Sequence, residues 1–397
     1  MSATQEVVVA GAVRTPLGRF GGGLASVSAP ELGAVAVAAA LERARLVPGD
    51  VDLTIMGNAR PAGVGPNPAR QIAHRAGIPD TTTAYTVNMA CGSGLRALMN
   101  ARQSILTGEA RIVVAGGAES MSRVPYLLEG ARFGVKMGDQ KVVDAMYRDG
   151  FFCPLCQQLM GETAESLADR YGIGRAEQDE YAAQSQQRCE AARKEGRFRD
   201  EIVPVTVKGA RGETVVSQDE HPRDGVTAAS LATLPPVFRK NGTVHAGSSS
   251  GLVDGASAIV VLTRAEADRR GVPVMARIVD ATSGGVDPAV MGIGPVPAMR
   301  ALFERQQIGV ADVDLIELNE AFAAQVIACE RDLKLDRSRL NVLGGAIAIG
   351  HPIGATGARI TTTLLHEMAR RGARRGIATL CISGGQGLAV LFERDAA

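Results

Sequence analysis

The chain matches itself in register, and a sequence that does so is constrained to fold as two like halves. LERARLVPGDVDL at 41–53 aligns with FERQQIGVADVDL at 303–315, roughly 262 residues later. The match pairs Glu42 with Glu304, Arg43 with Arg305, and Asp50-Val51-Asp52-Leu53 with Asp312-Val313-Asp314-Leu315. The same shift lays Gly94-Leu95-Arg96 over Gly357-Ala358-Arg359, and RIVVAGG at 111–117 over GIATLCISGG at 376–385. Three matches kept in one order point to duplication. In each half VDLTIMG or VDLIELN reads as a buried strand, a Gly-rich turn leads into a helix, and a second short apolar strand follows. Strands alternating with helical patterns predict a layered α/β fold.

Residues 120–250 have no counterpart in the repeat. They carry LMGETAESLADRYGI, with apolar Leu167, Tyr171 and Ile173, and the charged helical run RAEQDEYAAQSQQRCEAARKEG. This segment is expected to be an insertion that supplies substrate contacts. A length of 397 residues also exceeds what one ordinary core holds. The expected division is a first half at 1–119 and 251–270, an inserted region at 120–250 and a second half at 271–397.

The balance of 43 basic against 42 acidic residues provides no bulk field for nucleic acid or a membrane surface. The N-terminal stretch lacks a secretory pattern, and no run approaches 18 apolar residues, so a cytoplasmic protein is expected. The six cysteines include one close pair, Cys153 and Cys156 in CPLC, which cannot complete a four-ligand zinc site. They read as structural thiols or a labile redox pair.

Three residues stand in unusual settings. Cys91 lies in TVNMACGSGLRALMNARQSILTG, where Thr86 to Ala90 finish a strand, Gly92 and Gly94 permit a sharp turn, and Leu95, Leu98, Met99 and Ile105 mark a helix face. A cysteine at such a corner receives the helix dipole and nearby N–H groups, which favour thiolate. A buried, inert thiol is the other reading. His351 sits among five glycines between Gly344 and Gly357, a run suited to wrapping a ligand or catalytic group, although a lone histidine can equally be structural. Cys381 ends the second-half strand that matches RIVVAGG. It could meet Cys91 across the halves as a proton carrier, or pair with it as a disulfide. Asn319, in LIELNEAFAAQ, could orient a water, donate to an oxyanion, or cap a helix starting at Glu320. Glu320 invites a base assignment but reads better as support.

NMACGSGLRA around Cys91, GGAESMSR at 116–123, HAGSSSGLVDGA at 245–256, LNEAFAAQ at 318–325, GGAIAIGHPIGATG at 344–357 and CISGGQG at 381–387 together resemble the thiolase family along essentially the full chain. The resemblance implies duplicated βαβαβαββ halves in a layered α/β core with an inserted loop domain. It also implies an acyltransferase that uses coenzyme A as co-substrate, with no tightly bound cofactor and no metal. Cys91 matches the acylated cysteine, His351 the histidine that activates it, Cys381 the proton-exchanging cysteine and Asn319 the water-holding asparagine. Asn319 and His351 would build one oxyanion site, and the N–H groups of Cys91 and Ser383 the other. Arg223, Ala246 and Ser250 fall at coenzyme A positions; Leu159, Met160, Phe238, Met291 and Phe322 fall at acyl-pocket positions.

Two positions depart from the family pattern. Ser383 stands where glycine is common, which matters little because only its amide is needed. Leu159 stands where acetoacetyl-CoA-making members carry histidine. That replacement favours 3-ketoacyl-CoA thiolase in fatty acid β-oxidation (acetyl-CoA C-acyltransferase), with acetyl-CoA C-acetyltransferase as the alternative. A decarboxylating condensing enzyme would not need the second cysteine, and a noncatalytic lipid carrier need not keep Cys91, His351 and Cys381 together. A homodimer or homotetramer and association with a hydroxyacyl-CoA dehydrogenase are further expectations of the resemblance.

Overall fold

The computed structural model describes residues 6–209 and 212–395. The first half runs β1 (Val7–Arg14), α1 (Ala29–Arg43), β2 (Leu53–Gly57), α2 (Pro68–Arg75), β3 (Thr83–Val87), α3 (Ser93–Leu106) and β4 (Ile112–Glu119). After a long excursion containing α4 (Met160–Tyr171) and α5 (Arg175–Lys194), the chain returns to the same sheet as β5 (Val253–Thr263). The second half comprises β6 (Val274–Gly285), α6 (Pro295–Gln306), β7 (Leu315–Leu318), α7 (Ala323–Leu333), α8 (Thr356–Arg371), β8 (Arg375–Ile382) and β9 (Gln386–Glu393).

The strands lie in the order β3-β2-β4-β5-β1-β6-β9-β8-β7, which is palindromic in topology. Parallel pairs stand at both ends, antiparallel pairs lie between them, and the ladder of β1 against β6 joins the halves through Val8–Arg277, Val9–Ala276 and Ala10–Val274. The counterpart of β3 is reduced to a single parallel bridge between Ile316 and Leu340. The βαβαβαββ expectation therefore holds, with one strand of the second copy shrunk to a bridge.

The repeat residues do the same work in each copy. Asp52 Oδ2 accepts the N–H groups of Arg111 and Ile112 at 2.8 and 3.0 Å, and Asp314 Oδ2 accepts those of Arg374 and Arg375, both at 2.8 Å. Each aspartate thus pins the start of a central strand to the preceding loop.

Alternation of side chains along the strands divides the core into layers. Val7, Val9, Val113, Ala115, Ile259 and Val261 turn toward the central helices α3 and α8, together with Leu380, Ile382, Val390 and Phe392 from the second half. Their neighbours Val8, Ala10, Ile112, Val114, Val260 and Leu262 turn outward onto α1 and α2, while Ile377, Ala389 and Leu391 turn onto α6 and α7. Five layers result, with α3 and α8 sandwiched in the middle. The duplicated glycines let these two helices touch at their N-termini. A Cβ on Gly357 would lie 2.2 Å from Leu95 N, and one on Gly94 would lie 3.0 Å from Ala358 N. Cys91 stands two residues before α3 and His351 five residues before α8.

Candidate active site

Cys91 lies between β3 and α3, and the corner it occupies is made differently from the sequence expectation. Neither Gly92 nor Gly94 has the left-handed backbone; Ala90 has, with φ of 45°. A non-glycine residue there is strained and must be held. Asn88 Oδ1 accepts the Ala90 N–H at 3.1 Å, the Ser93 hydroxyl donates to Ala90 O at 2.6 Å, and Ser93 Oγ accepts the Met89 N–H at 2.9 Å. Gly92 is needed for space instead: a Cβ there would lie 2.5 Å from Ile382 Cδ1.

The Cys91 thiol corrects a second expectation. Burial pushes its pKa above the usual thiol value, outweighing the opposite pull of the Arg60 charge and of the N–H groups of Ser383 and Cys91 that point at the sulfur. The resting group is the thiol, and its use as a nucleophile would require a base.

His351 has the form such a base requires. It is 6% exposed, and burial, followed by the charges of Arg359 and Arg60, lowers its pKa to about 3, so the ring is neutral. The Thr356 hydroxyl has one proton, which it donates to Pro352 O at 3.0 Å. It therefore accepts from His351 Nδ1–H, 2.6 Å away. That bond leaves the Nε2 lone pair free, and Nε2 is buried without a partner among the described residues. Thr356 was not singled out by sequence reading. Its only sequence signal is its place five residues after the histidine.

Cys381 is 1% exposed near the end of β8. Burial first and the charge of Cys91 next raise its pKa well above the usual value, which places the two sulfurs within each other's field. All six cysteines are free thiols, so the disulfide reading of Cys91 with Cys381 is overturned. Cys153 and Cys156 lie on a small hairpin whose strands pair Cys153 with Gln158 and Phe152 with Leu159.

Asn319 follows β7, and the adjoining helix begins at Ala323 with Phe322 as its cap residue, so the capping reading fails. Both polar atoms of the Asn319 side chain are buried and unpartnered among the described residues. Glu320 is held as support: it accepts from Tyr181 at 2.8 Å, Ser185 at 2.7 Å, Ile347 N at 3.1 Å and Asn341 at 3.2 Å.

Met160 and Phe238 pack against a cluster of Ala164, Val244, Met291, Ala321, Phe322 and Cys381. The Phe238 and Phe322 rings meet edge to face at 6.0 Å. Leu159 is the acyl-pocket candidate outside this cluster; it is half-buried on the hairpin, its N–H donating to Glu162 at 2.6 Å. Arg223 lines a separate cavity of about 400 Å³ with Arg19, Phe20, His221 and Leu252. Leu252 and Cys91 both pack against the cluster of Ala59, Met121, Met146 and Ile353. Ala246, itself exposed, opens a short turn, and Ser250 N donates to Ala321 O at 3.0 Å, fastening that turn to the segment carrying Phe322.

Among the described residues no cluster of three or more His, Cys, Asp or Glu side chains is arranged to hold a metal, and no helix is long and apolar enough to cross a membrane. Fold and motifs define an acyltransferase acting on coenzyme A thioesters. The family model for the thiolase N-terminal domain matches residues 7–265 and that for the thiolase C-terminal domain matches 272–394. The chain is 53% identical to the acetyl-CoA acetyltransferase of Rhizobium meliloti (strain 1021) over 389 residues, covering 98% of this chain and 99% of the relative. The crystal structure of the Bacillus anthracis acetyl-CoA acetyltransferase superposes with a TM-score of 0.97 at 45% identity, covering 99% of this chain and 100% of that one. Human mitochondrial 3-ketoacyl-CoA thiolase in complex with CoA superposes at 0.95 with 43% identity, covering 99% of both chains. The chain belongs to the thiolase family.

Proposed function

We propose that this enzyme is an acetyl-CoA C-acetyltransferase, joining two acetyl-CoA molecules into acetoacetyl-CoA and cleaving it in reverse. The observation that carries this reading is the Phe238 ring, which lies directly on Gly161: a Cβ on that glycine would lie 2.2 Å from the ring. Phe322 stands edge-on beside it, and Met160 and Met291 pack in the same cluster as Cys381, a set of large side chains that supports a short acyl site. The relatives named acetyl-CoA acetyltransferase support the same choice. The broader 3-ketoacyl-CoA thiolase reading is the second choice. It draws on apolar Leu159 in place of histidine and on the likeness to the human enzyme of that name.

In the proposed reaction, His351 Nε2 removes the Cys91 proton as the sulfur attacks the carbonyl of the first acetyl-CoA. The N–H groups of Cys91 and Ser383 stabilise the tetrahedral oxyanion, and the coenzyme A thiol leaves. The departing coenzyme A thiolate takes the Cys381 proton, and the Cys381 thiolate so formed then takes an α-proton from the second acetyl-CoA. The resulting enolate oxygen lies toward His351 and an Asn319-held water, and its carbon attacks acetyl-Cys91 to release acetoacetyl-CoA. Thiolysis is the reverse, with Cys381 returning the proton to carbon. The buried, partnerless amide of Asn319 and Nε2 of His351 suit this role, because buried polar groups are nearly always hydrogen-bonded. Arg223, Ala246 and Ser250 would contact coenzyme A.

A homo-oligomer belongs to this reading. Tyr126, Phe133, Val135 and Met137 are exposed on the segment after β4, an apolar surface that a second copy would cover. The test of function is kcat/KM for thiolysis of 3-ketoacyl-CoA substrates from four to sixteen carbons. The four-carbon substrate is expected to be preferred. A steady rise to eight carbons or beyond would transfer the assignment to 3-ketoacyl-CoA thiolase.

A further inference from the structure

Arg60, Arg75 and Arg123 converge on one cavity of about 230 Å³, together with Ser28, Gln71 and Ser120. Arg60 is 6% exposed. Its Nη1 donates only to Ala59 O at 3.0 Å, its Nε has no partner, and its guanidinium lies over the Phe151 ring at 6.0 Å. Arg123 donates to Ser26 O at 3.1 Å. Among the described residues none of the three guanidinium groups forms an ion pair.

The carboxylates nearby are engaged elsewhere. Glu31 accepts the N–H and hydroxyl of Ser28 at 2.9 and 2.5 Å. Glu119 accepts from Asn58, Ala59, Arg60 N and Gly354. Asp149 pairs with Arg148. The charges of Glu119 and Asp149 and the Phe151 ring offset the Arg60 charge only in part, because no carboxylate bonds to its guanidinium, and a buried guanidinium so placed is costly.

We propose that this cavity is a second anion site, distinct from the coenzyme A cavity at Arg223, and that it takes a tetrahedral phosphate, either free or as a monoester. Three forked donors approaching from different elements suit a tetrahedral dianion better than a single flat carboxylate, and the volume accommodates one phosphate group. Arg60 also faces the reaction centre: Phe151 packs in the same cluster as Cys91, and the Arg60 charge favours the Cys91 thiolate. An anion held on Arg60 offsets that charge, so occupancy slows ionisation of the nucleophile.

The test titrates inorganic phosphate into the full chain by calorimetry at pH 8 and constant ionic strength, and measures iodoacetamide alkylation of Cys91 alongside. Wild type is expected to bind phosphate and to alkylate more slowly when it is bound. Arg75→Gln/Arg123→Gln is expected to weaken that binding at least tenfold, to lose the phosphate effect on alkylation and to keep phosphate-free activity. Should the double variant fold poorly, Arg123→Gln alone, a change at an exposed side chain, is expected to weaken binding in the same direction, and Arg123→Lys to restore most of it. Adenosine 3′,5′-bisphosphate distinguishes the sources: binding at least tenfold tighter than inorganic phosphate, still lost in the double variant, assigns a nucleotide phosphate, and equal binding assigns free phosphate. Absence of phosphate binding to wild type, or equal affinity in wild type and variant, overturns the site. A variant that changes only the oligomeric mass overturns it too, by showing that the arginines pair with a second copy.

Discussion

Replacing Thr356 by valine keeps the shape of a fully buried side chain and removes one oxygen, the atom that fixes the proton on His351. The hydroxyl is committed to Pro352 O as donor and to Nδ1–H as acceptor. In the valine variant Nδ1–H is buried without a partner, at a cost of about 1–3 kcal/mol. With no acceptor left at Nδ1 the ring loses its preference for that tautomer, and the form carrying the proton on Nε2, which lacks the lone pair needed to deprotonate Cys91, competes with it. The reactive tautomer therefore bears the penalty. At about 1.4 kcal/mol per tenfold in rate, acylation should slow by about 5- to 150-fold. The KM for acetyl-CoA should change little, because Thr356 does not line the Arg223 cavity. Rapid-quench measurement with radiolabelled acetyl-CoA reads acylation directly, and Thr356→Ser, which restores the hydroxyl, should recover it. A valine variant that keeps the wild-type circular dichroism spectrum and thermal midpoint and acylates within about twofold of wild type would refute the tautomer assignment.

Other outcomes follow from the same geometry. Alkylation of Cys91 by iodoacetamide should keep rising beyond pH 9, the direction set by its burial, and a plateau below pH 8 would show an activated resting thiolate. Acylation should show no inflection near pH 6.5, because His351 stays neutral down to about pH 3; the unfolded chain does take up that proton, so this residue makes stability fall as pH drops from about 6.5 toward 3. Cys381→Ser should still be acylated on Cys91 but should exchange the α-proton of acetyl-CoA at a small fraction of the wild-type rate, checked by deuterium wash-in; wild-type exchange would remove Cys381 from the proposed mechanism. Phe238→Ala should raise kcat/KM for an eight-carbon substrate relative to a four-carbon one, since each methylene admitted to an apolar pocket is worth roughly 0.8 kcal/mol; an unchanged ratio would show that this ring does not close the channel.

The sequence revealed what depends on pattern and concealed what depends on approach. Asp52 and Asp314 stand in the same register of both copies and make the same pair of backbone bonds, so the duplication was readable before any coordinates. Cys91 and His351 stood out because glycine-rich segments enclose them. The strained residue at the nucleophile corner is Ala90, a type that gives no sign of left-handed backbone, and its supports Asn88 and Ser93 look like ordinary polar residues of a turn. Desolvation of Cys91 arises from several separate segments packing around it, so the helix dipole, which is local, suggested the wrong direction for its pKa. Leu159 drew attention by departing from a motif, yet Phe238, nearly eighty positions along, forms the wall on Gly161. Arg60 carried no motif, and what sets it apart is a buried guanidinium to which no carboxylate bonds.

The central claim is that Cys91 carries the acyl group, and peptide-mapping mass spectrometry after brief exposure to acetyl-CoA and acid quench tests it most directly. The account predicts one acetyl group per chain, on the peptide containing Cys91, released by added coenzyme A and absent in Cys91→Ala. An acetyl group on Cys381 or Cys156 that turns over with coenzyme A, or full turnover in Cys91→Ala, would contradict it.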